Sequence, residues 1–356
     1  MHRGYLYLLA TDKKRGFIAG FFKIFLFILS LIYGLIVRIS SFLYRIKPYQ
    51  LNCKVISIGN ITLGGTGKTI LVELLARLLK DKGHKVAVLS RGYKRKIPKP
   101  ETRIPSPGTM GDEPYMLSRN LGNIPVVVDK DRIKGAKKAI RDYGVDTVIL
   151  DDGFQQWRIN KNLEIVTIDA TNPLGNFNLL PRGILREPLS SLRRADIFIL
   201  TKVNLNPDML EIKKFLNRIN PTSLIVEAIY KPVGFYKLGM PGNNLLSPDE
   251  FRAKKVSLVC GIADPKSFEN LVSNLGMNIV LSFSFPDHYL YTEGDLDKII
   301  SDSKQKGVSI IITTEKDSVR FPTVDCQPST VNYFVLRIKL EIIQYEVFIK
   351  RIHSLY

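Results

Sequence analysis

The chain has 356 residues, a length at which a single hydrophobic core usually stops growing, so we expect two domains. Its composition, 45% hydrophobic and 24% charged, is typical of a globular protein, and its three cysteines form no CxxC pair that would predict a disulfide framework or a zinc site. The formal charge of +19 favours an anionic partner: nucleic acid, a membrane surface or a phosphorylated substrate.

The first fifty residues contain a long apolar run. From Phe17 to Val37 the only charge is Lys23, and the run is long enough to cross a bilayer. Basic residues flank it on both sides, so the positive-inside rule indicates no orientation. We predict a membrane-associated helix, spanning or lying in the interface, with a buried hydrophobic hairpin of the soluble core as the alternative.

After Pro48, short apolar runs alternate with helical periods, which is typical of an α/β protein with a mainly parallel sheet. The predicted strands include "KVISIG", "KVAVLS", "DTVILDD", "EIVTIDA" and "DIFILTK", and "KTILVELLARLLKDKG" is a predicted helix. We expect four parts: a hydrophobic helix over residues 1–47, a kinase-type domain over 48–227, a linker or hairpin over 228–250, and a smaller α/β domain over 251–356.

A glycine-rich loop, "TLGGTGKT", follows the first predicted strand and opens the predicted helix. This context is that of a phosphate-binding loop, in which glycines let backbone N–H groups approach the phosphates, a lysine reaches the β and γ phosphates and a hydroxyl binds Mg²⁺. A glycine turn with an adventitious Lys-Thr is the alternative. The predicted nucleotide-binding residues are Thr62, Gly64, Gly65, Thr66, Gly67, Lys68 and Thr69.

Asp151 and Asp152 follow four apolar residues in "DTVILDDGFQQ", the form of a Walker B carboxylate. Paired acids after a strand also occur in solvated turns and helix caps, but beside the glycine loop they favour a metal-binding element. The predicted metal ligands are therefore Thr69 with Asp151 or Asp152. Together the two elements predict a fold of the α/β class, a P-loop NTPase-like layer sandwich with a second, smaller α/β domain and the N-terminal helix.

A kinase also needs a base for the acceptor alcohol. Asp112 in "MGDEP" and His288 in "FPDHYLY" are candidates, although each taken singly is more typical of a structural role, Asp112 of a helix cap and His288 of a structural histidine. Basic residues near glycine or proline turns can clamp phosphate or lie on the solvated surface; they are Arg91, Arg132, Arg182 and Arg186.

With these pieces in order, the sequence resembles the lipid A 4′-kinase family, the tetraacyldisaccharide 4′-kinases. The matching strings are "GNITLGGTGKT", "LSRGY", "GDEP", "DDGFQ", "LLPRGILREP", "FPDHY" and "TTEKD". Thr62 departs from the generic loop but agrees with this family. Two positions depart from the family: Gln156 stands where a histidine is usual, and Ile70 where proline is frequent.

The resemblance implies transfer of the γ-phosphate of ATP, with Mg²⁺, to the 4′-hydroxyl of a tetraacylated glucosamine disaccharide 1-phosphate at the cytoplasmic face of the bacterial inner membrane. It implies that Lys68 and Thr69 hold phosphates and metal, and that Asp112 and His288 form a catalytic dyad that assembles when the two domains close. The resemblance also suggests further candidates for contacts to the substrate or the transition state, which are Tyr93, Arg132, Arg182 and Arg186.

Two other functions remain open at this point. A membrane-associated P-loop NTPase acting as a switch or assembly factor would share the loop, the aspartates and the helix. A nucleic-acid-binding protein would explain the positive charge. However, the first fifty residues contain eight basic residues and one acid, so +7 of the net charge of +19 surrounds the apolar run, and the sequence has no RNP-like or helix-turn-helix pattern. We therefore expect a lipid partner and a membrane surface, no nucleic acid and no obligate protein partner.

Overall fold

The computed structural model describes residues 8–92, 107–206, 208–240, 245–322 and 331–356. The chain divides into two compact units. The first unit consists of Met1–Arg91, Ile124–Ile229 and Leu340–Tyr356, and the second of Gly92–Asn123 and Tyr230–Lys339. Each unit combines parallel strands with helices, so the predicted α/β class is confirmed.

This division differs from the four predicted parts, since residues 1–47 join the first unit and most of the predicted linker, from Tyr230 onward, joins the second. Gly92–Asn123, expected in the kinase-type domain, belongs to the second unit, and Leu340–Tyr356, expected in the smaller domain, belongs to the first. The patterns of apolar residues predict elements but not which unit they join, because the chain leaves each unit and returns to it.

The strands are parallel within each unit. In the first unit they lie in the order β3-β2-β4-β1-β5-β6-β7, and in the second in the order β11-β10-β8-β9. Their bounds are β1 (Lys54–Gly59), β2 (Val86–Ser90), β3 (Val126–Val128), β4 (Thr147–Asp151), β5 (Leu163–Asp169), β6 (Ile197–Thr201), β7 (Leu224–Lys237), β8 (Lys255–Cys260), β9 (Asn278–Ser284), β10 (Ile310–Thr314) and β11 (Asn332–Ile342).

The helices connect and cover these strands. They are α1 (Phe17–Ile46), α2 (Lys68–Asp81), α3 (Pro107–Met110), α4 (Asp112–Leu121), α5 (Arg132–Tyr143), α6 (Leu210–Ile219), α7 (Pro265–Asn274), α8 (Glu293–Gln305), α9 (Glu315–Ser318) and α10 (Tyr345–His353). Helix α2 shows the predicted periodicity, since Leu71, Leu75 and Leu79 are fully buried. In open α/β sheets ligands bind beyond the carboxyl ends of the strands, which is where the predicted phosphate loop follows β1.

Helix α1 is the one helix, among the residues described, that is long and apolar enough to cross a membrane. Its most apolar window has a mean hydropathy of 2.3, and only 22% of that window is buried. Phe17, Ile18 and Phe21 are each at least 70% exposed. The alternative of a buried hairpin is therefore wrong, and the helix presents an apolar surface that favours membrane attachment.

Candidate active site

The phosphate loop connects β1 directly to α2. Gly64 has φ 122° and Gly67 has φ 84°, in the left-handed region that a side chain disfavours. Gly64 and Gly65 are exposed, and a methyl group on either would meet no atom within 4 Å. Glycine suits these positions because the loop turns sharply and its backbone stays open to a ligand.

Two of the three threonines of the loop, Thr62 and Thr66, are buried and hold it in place. The Thr66 hydroxyl is 2.7 Å from that of Thr167 on β5, and the Thr201 hydroxyl donates to the Thr66 carbonyl at 3.2 Å. The side-chain amide of Asn60 donates to the carbonyl of Thr62 at 2.7 Å. Thr62 and Thr66 therefore support the loop from beneath, while its glycines face outward.

Lys68, the first residue of α2, lies beside Asp152. Its ammonium is 3.6 Å from Asp152 Oδ1, and the Arg186 guanidinium binds both carboxylate oxygens, at 2.8 and 3.1 Å. Burial opposes ionisation of this carboxyl, but Lys68 and Arg186 outweigh it and hold the pKa of Asp152 at about 2. Asp152 also has φ 54°, a strained backbone that is typical of functional sites.

The pKa of Asp152 can be tested by titration. Because the pKa of Asp152 lies below the ordinary value of 3.8, the contribution of its carboxylate to folding stability should be present above about pH 4 and should be lost progressively as the pH falls from there through about 2. Replacing Lys68→Met should raise the pKa, whereas Lys80→Met, an exposed position in the last turn of the same helix, should not change it. Carboxyl ¹³C NMR of labelled aspartate checks this, and a wild-type Asp152 titrating at 3.8 or higher would contradict it.

Asp151 ends β4 and is buried, with its backbone in register with Ile58 of β1. The Ser90 hydroxyl donates to Asp151 Oδ2 at 3.1 Å. Arg132 donates to the carbonyls of Asp151 and Asp129, at 3.3 and 2.7 Å, and burial lowers its pKa to about 10. Arg132 thus ties together the ends of two strands, and its Nε has no hydrogen-bond partner among the described residues.

The second unit brings the two proposed base residues together. Asp112, the first residue of α4, lies 3.8 Å from Nδ1 of His288. Arg320 connects them: its Nε donates to Asp112 Oδ2 at 2.8 Å, and its Nη2 is 3.0 Å from His288 Nδ1. Burial opposes ionisation of Asp112, but His288 and Arg320 together hold its pKa below the usual range. The group is therefore a carboxylate, an imidazole and a guanidinium, not an isolated pair.

Arg320 is itself fixed by buried partners. Its side chain has no exposed surface, and its Nη1 donates to the Gly261 carbonyl at 3.2 Å and lies 3.3 Å from Asp317 Oδ1. Asp317 also accepts hydrogen bonds from the Gly261 N–H and the Tyr291 hydroxyl. Burial nevertheless raises the pKa of Asp317. These contacts make Arg320 a rigid support for Asp112 and His288.

The expectation that this dyad assembles on domain closure does not hold, because Asp112 and His288 belong to the same unit. The error came from assigning Asp112 to the kinase-type domain by its place in the sequence. His288 has φ 63°, the second strained backbone at a predicted site residue. Its N–H donates to the Gly261 carbonyl at 3.3 Å, which secures that conformation.

The remaining predicted residues have different surroundings. Tyr93 lies outside the described residues. Arg182 pairs with Asp12, Nη2 to Oδ1 at 3.0 Å, so here it anchors the segment before α1. Gln156, where the family usually has histidine, lines a cavity of about 30 Å³ beside Arg132 and Arg158.

Sequence reasoning missed Arg320 and Asn60. Arg320 lies three residues after the Asp317 of the "TTEKD" string, so a helical turn with an acid and a base at this spacing is a weak signal that was available. Asn60 accepts from Arg186 through its side-chain oxygen at 3.2 Å as well as supporting the loop. Nothing in the local sequence distinguishes it from an ordinary turn asparagine.

Known proteins resemble this chain along most of its length. A family model described as tetraacyldisaccharide-1-P 4′-kinase matches residues 22–356. A tetraacyldisaccharide 4′-kinase from Halothermothrix orenii is 38% identical over 346 residues, covering 90% of each chain. One from Elusimicrobium minutum is 36% identical over 336 residues, covering 90% of this chain and 88% of its own.

A solved structure agrees with these relatives. The crystal structure of LpxK from Aquifex aeolicus in complex with ATP superposes with a TM-score of 0.72 at 30% identity, covering 92% of this chain and 97% of the other. The similarity extends over both units and all the described motifs. This chain belongs to the tetraacyldisaccharide-1-phosphate 4′-kinase family, as its motifs predicted.

Proposed function

We propose that this chain transfers the γ-phosphate of ATP to the 4′-hydroxyl of a tetraacylated glucosamine disaccharide 1-phosphate, a precursor of lipid A. The observation that carries the proposal is the pairing of Lys68 and Arg186 with an ionised Asp152 at an open phosphate loop, in a chain of this family. Phosphoryl transfer is accelerated mainly by positioning and by positive charge near the transferred group, and this site supplies both.

In the nucleotide half, the loop N–H groups from Gly64 to Thr69 would bind the phosphates and Lys68 would reach the β and γ oxygens. The described residues contain no group of three or more His, Cys, Asp or Glu side chains able to hold a metal ion. The Thr69 hydroxyl and the carboxylates of Asp151 and Asp152 are hard oxygen donors. A small number of protein ligands is enough for Mg²⁺, because this ion keeps several waters and also binds the substrate phosphates. When bound, Mg²⁺ would neutralise charge on the phosphates.

In the acceptor half, Asp112 would take the proton of the attacking hydroxyl. Its low pKa keeps it ionised at neutral pH, and Arg320 fixes one of its oxygens. Arg320 Nη2 also lies 3.0 Å from His288 Nδ1, so the same guanidinium holds the imidazole beside the carboxylate. His288 and Arg320 would then orient the carboxylate and the hydroxyl, while Asp112 accepts the proton.

The substrate's acyl chains keep it in a bilayer, so the enzyme has to work at the membrane surface. The exposed apolar face of α1 and the basic residues around it suit attachment to an anionic leaflet. We place the enzyme at the cytoplasmic face of the inner membrane, where ATP is available. Arg132, Arg182, Arg186 and Tyr93 remain candidates for contacts to the disaccharide or the transferred phosphate.

Transfer of radiolabel from [γ-³²P]ATP to a tetraacyl disaccharide 1-phosphate in mixed micelles tests the function. We expect label in the lipid, dependent on Mg²⁺ and on a lipid with a free 4′-hydroxyl. A lipid already phosphorylated at that position serves as the acceptor control. Label released only as inorganic phosphate, at a rate that the lipid does not change, would contradict the proposal and favour the switch-type NTPase.

A further inference from the structure

Helix α1 packs one face against the first unit and exposes the other. Its buried residues lie at spacings of three, four or seven, which places them on one side of the helix; they are Ala19, Leu26, Ser30, Gly34, Val37 and Ser41. On the opposite side, Leu31, Leu35 and Ile36 are each 57–59% exposed. The helix therefore has a protein-facing side along most of its length, which a simple anchor would not require.

The protein-facing side contacts the segment of residues 174–187, which we call the arginine segment. The Tyr33 hydroxyl donates to the Arg186 carbonyl at 2.8 Å. A methyl group on the neighbouring Gly34 would lie 2.6 Å from Leu179 Cδ1, so the side chain of Leu179 would have to move if this glycine were replaced. Before the helix begins, Asp12 accepts from Asn176 and pairs with Arg182, which fixes the start of the same segment.

The other side of the arginine segment holds the nucleotide site. The Arg186 N–H donates to the Ile61 carbonyl at 2.7 Å, and the Leu63 N–H donates to the Ile184 carbonyl at 2.8 Å. The Arg186 guanidinium binds Asp152 and Asn60. Arg186 therefore accepts a hydrogen bond from Tyr33 of α1 on its carbonyl, and its side chain binds the carboxylate of Asp152, a proposed metal ligand.

We infer that Tyr33 is a positioning residue for phosphoryl transfer, acting through the backbone of Arg186, and that α1 is a structural part of the phosphate site as well as a membrane attachment. This inference rests on the proposed function. Because a shift of about 1 Å in a catalytic group can cost about 10²-fold in rate, loosening one hydrogen bond at Arg186 has a measurable effect.

Two matched pairs of variants on the same helix test this. Tyr33→Phe removes the hydroxyl, and Tyr44→Phe removes one from a residue that is 51% exposed. Gly34→Leu adds a side chain at the contact with Leu179, which has to repack, and Gly20→Leu adds the same side chain where a methyl group meets nothing within 4 Å. We expect kcat to fall roughly five- to twentyfold for Tyr33→Phe, and further for Gly34→Leu, with both controls near wild type.

Two further readouts separate positioning from a general structural defect. Binding of the variants to vesicles of phosphatidylethanolamine and phosphatidylglycerol, and the KM for the lipid, should equal those of the wild type, since the outward face of α1 is unchanged. In an Arg186→Lys background, Tyr33→Phe should have little additional effect on kcat, because both changes act on one unit.

Equal kcat values for Tyr33→Phe and Tyr44→Phe, in an enzyme that phosphorylates the lipid, would overturn this inference and leave the proposed function standing. The inference would also be overturned if Tyr33→Phe lowered kcat by the same factor in the Arg186→Lys background as in the wild type. A wild-type enzyme that phosphorylates no lipid would overturn the proposed function itself, and this inference with it.

Discussion

Lys68→Ala should lower kcat for lipid phosphorylation by roughly 10³-fold or more, or about 4 kcal/mol of transition-state stabilisation. Lys68 stands at the first position of α2, where its ammonium and the helix N-terminus both favour negative charge. Its neighbour Asp152 keeps the bidentate partner Arg186, so the substitution does not orphan that carboxylate. The loss should therefore appear in catalysis, with little change in the free energy of unfolding.

The measurement is the steady-state rate of label transfer, with thermal unfolding recorded for each variant. Lys80→Ala is the matched control, since it removes a lysine from an exposed position in the same helix. It should keep wild-type kcat. A Lys68→Ala enzyme with kcat within threefold of wild type would show that the loop does not bind the transferred phosphate.

The geometry of the proposed nucleotide site was predictable because it depends on residues that are close in sequence. The glycines with positive φ and the lysine at the helix start lie in one short stretch of sequence, and the two acids at the strand end lie in another. The Asp152 environment follows from the same pattern, since parallel strands place their carboxyl ends at one edge of a sheet. Arg186 was predicted only as one of several basic residues near turns, because nothing local ties it to Asp152.

The acceptor site was less accessible to sequence reasoning. Asp112 and His288 are 176 positions apart, and their pairing came from the family resemblance. Arg320, which connects them, belongs to no quoted motif, and its role depends on the buried contacts of Asp317 and Gly261. The assignment of Asp112 to the wrong domain has the same origin, because apolar periodicity predicts a helix but not the unit to which it belongs.

The second large effect concerns the Asp112–His288–Arg320 group. Asp112→Ala and His288→Ala should each lower kcat by about 10²- to 10⁴-fold, the usual contribution of general acid–base catalysis, or about 3–5 kcal/mol. Arg320 keeps Asp317 and the Gly261 carbonyl as partners when Asp112 is removed, so the second unit should still fold. Affinity for ATP should not change, because every proposed nucleotide contact lies in the first unit.

The double variant distinguishes one catalytic unit from two independent residues. If Asp112 accepts the proton while His288 and Arg320 orient the reacting groups, Asp112→Ala already removes the base that His288 supports. The kcat of the double variant should then be no lower than that of the more impaired single variant. Glu113→Gln, an acid beside Asp112 that pairs with Lys316 at 2.9 Å, controls for charge and should stay near wild type. A loss equal to the product of the two single losses would mean that the residues act separately. Asp112 would then have to be a base without help from the imidazole 3.8 Å away.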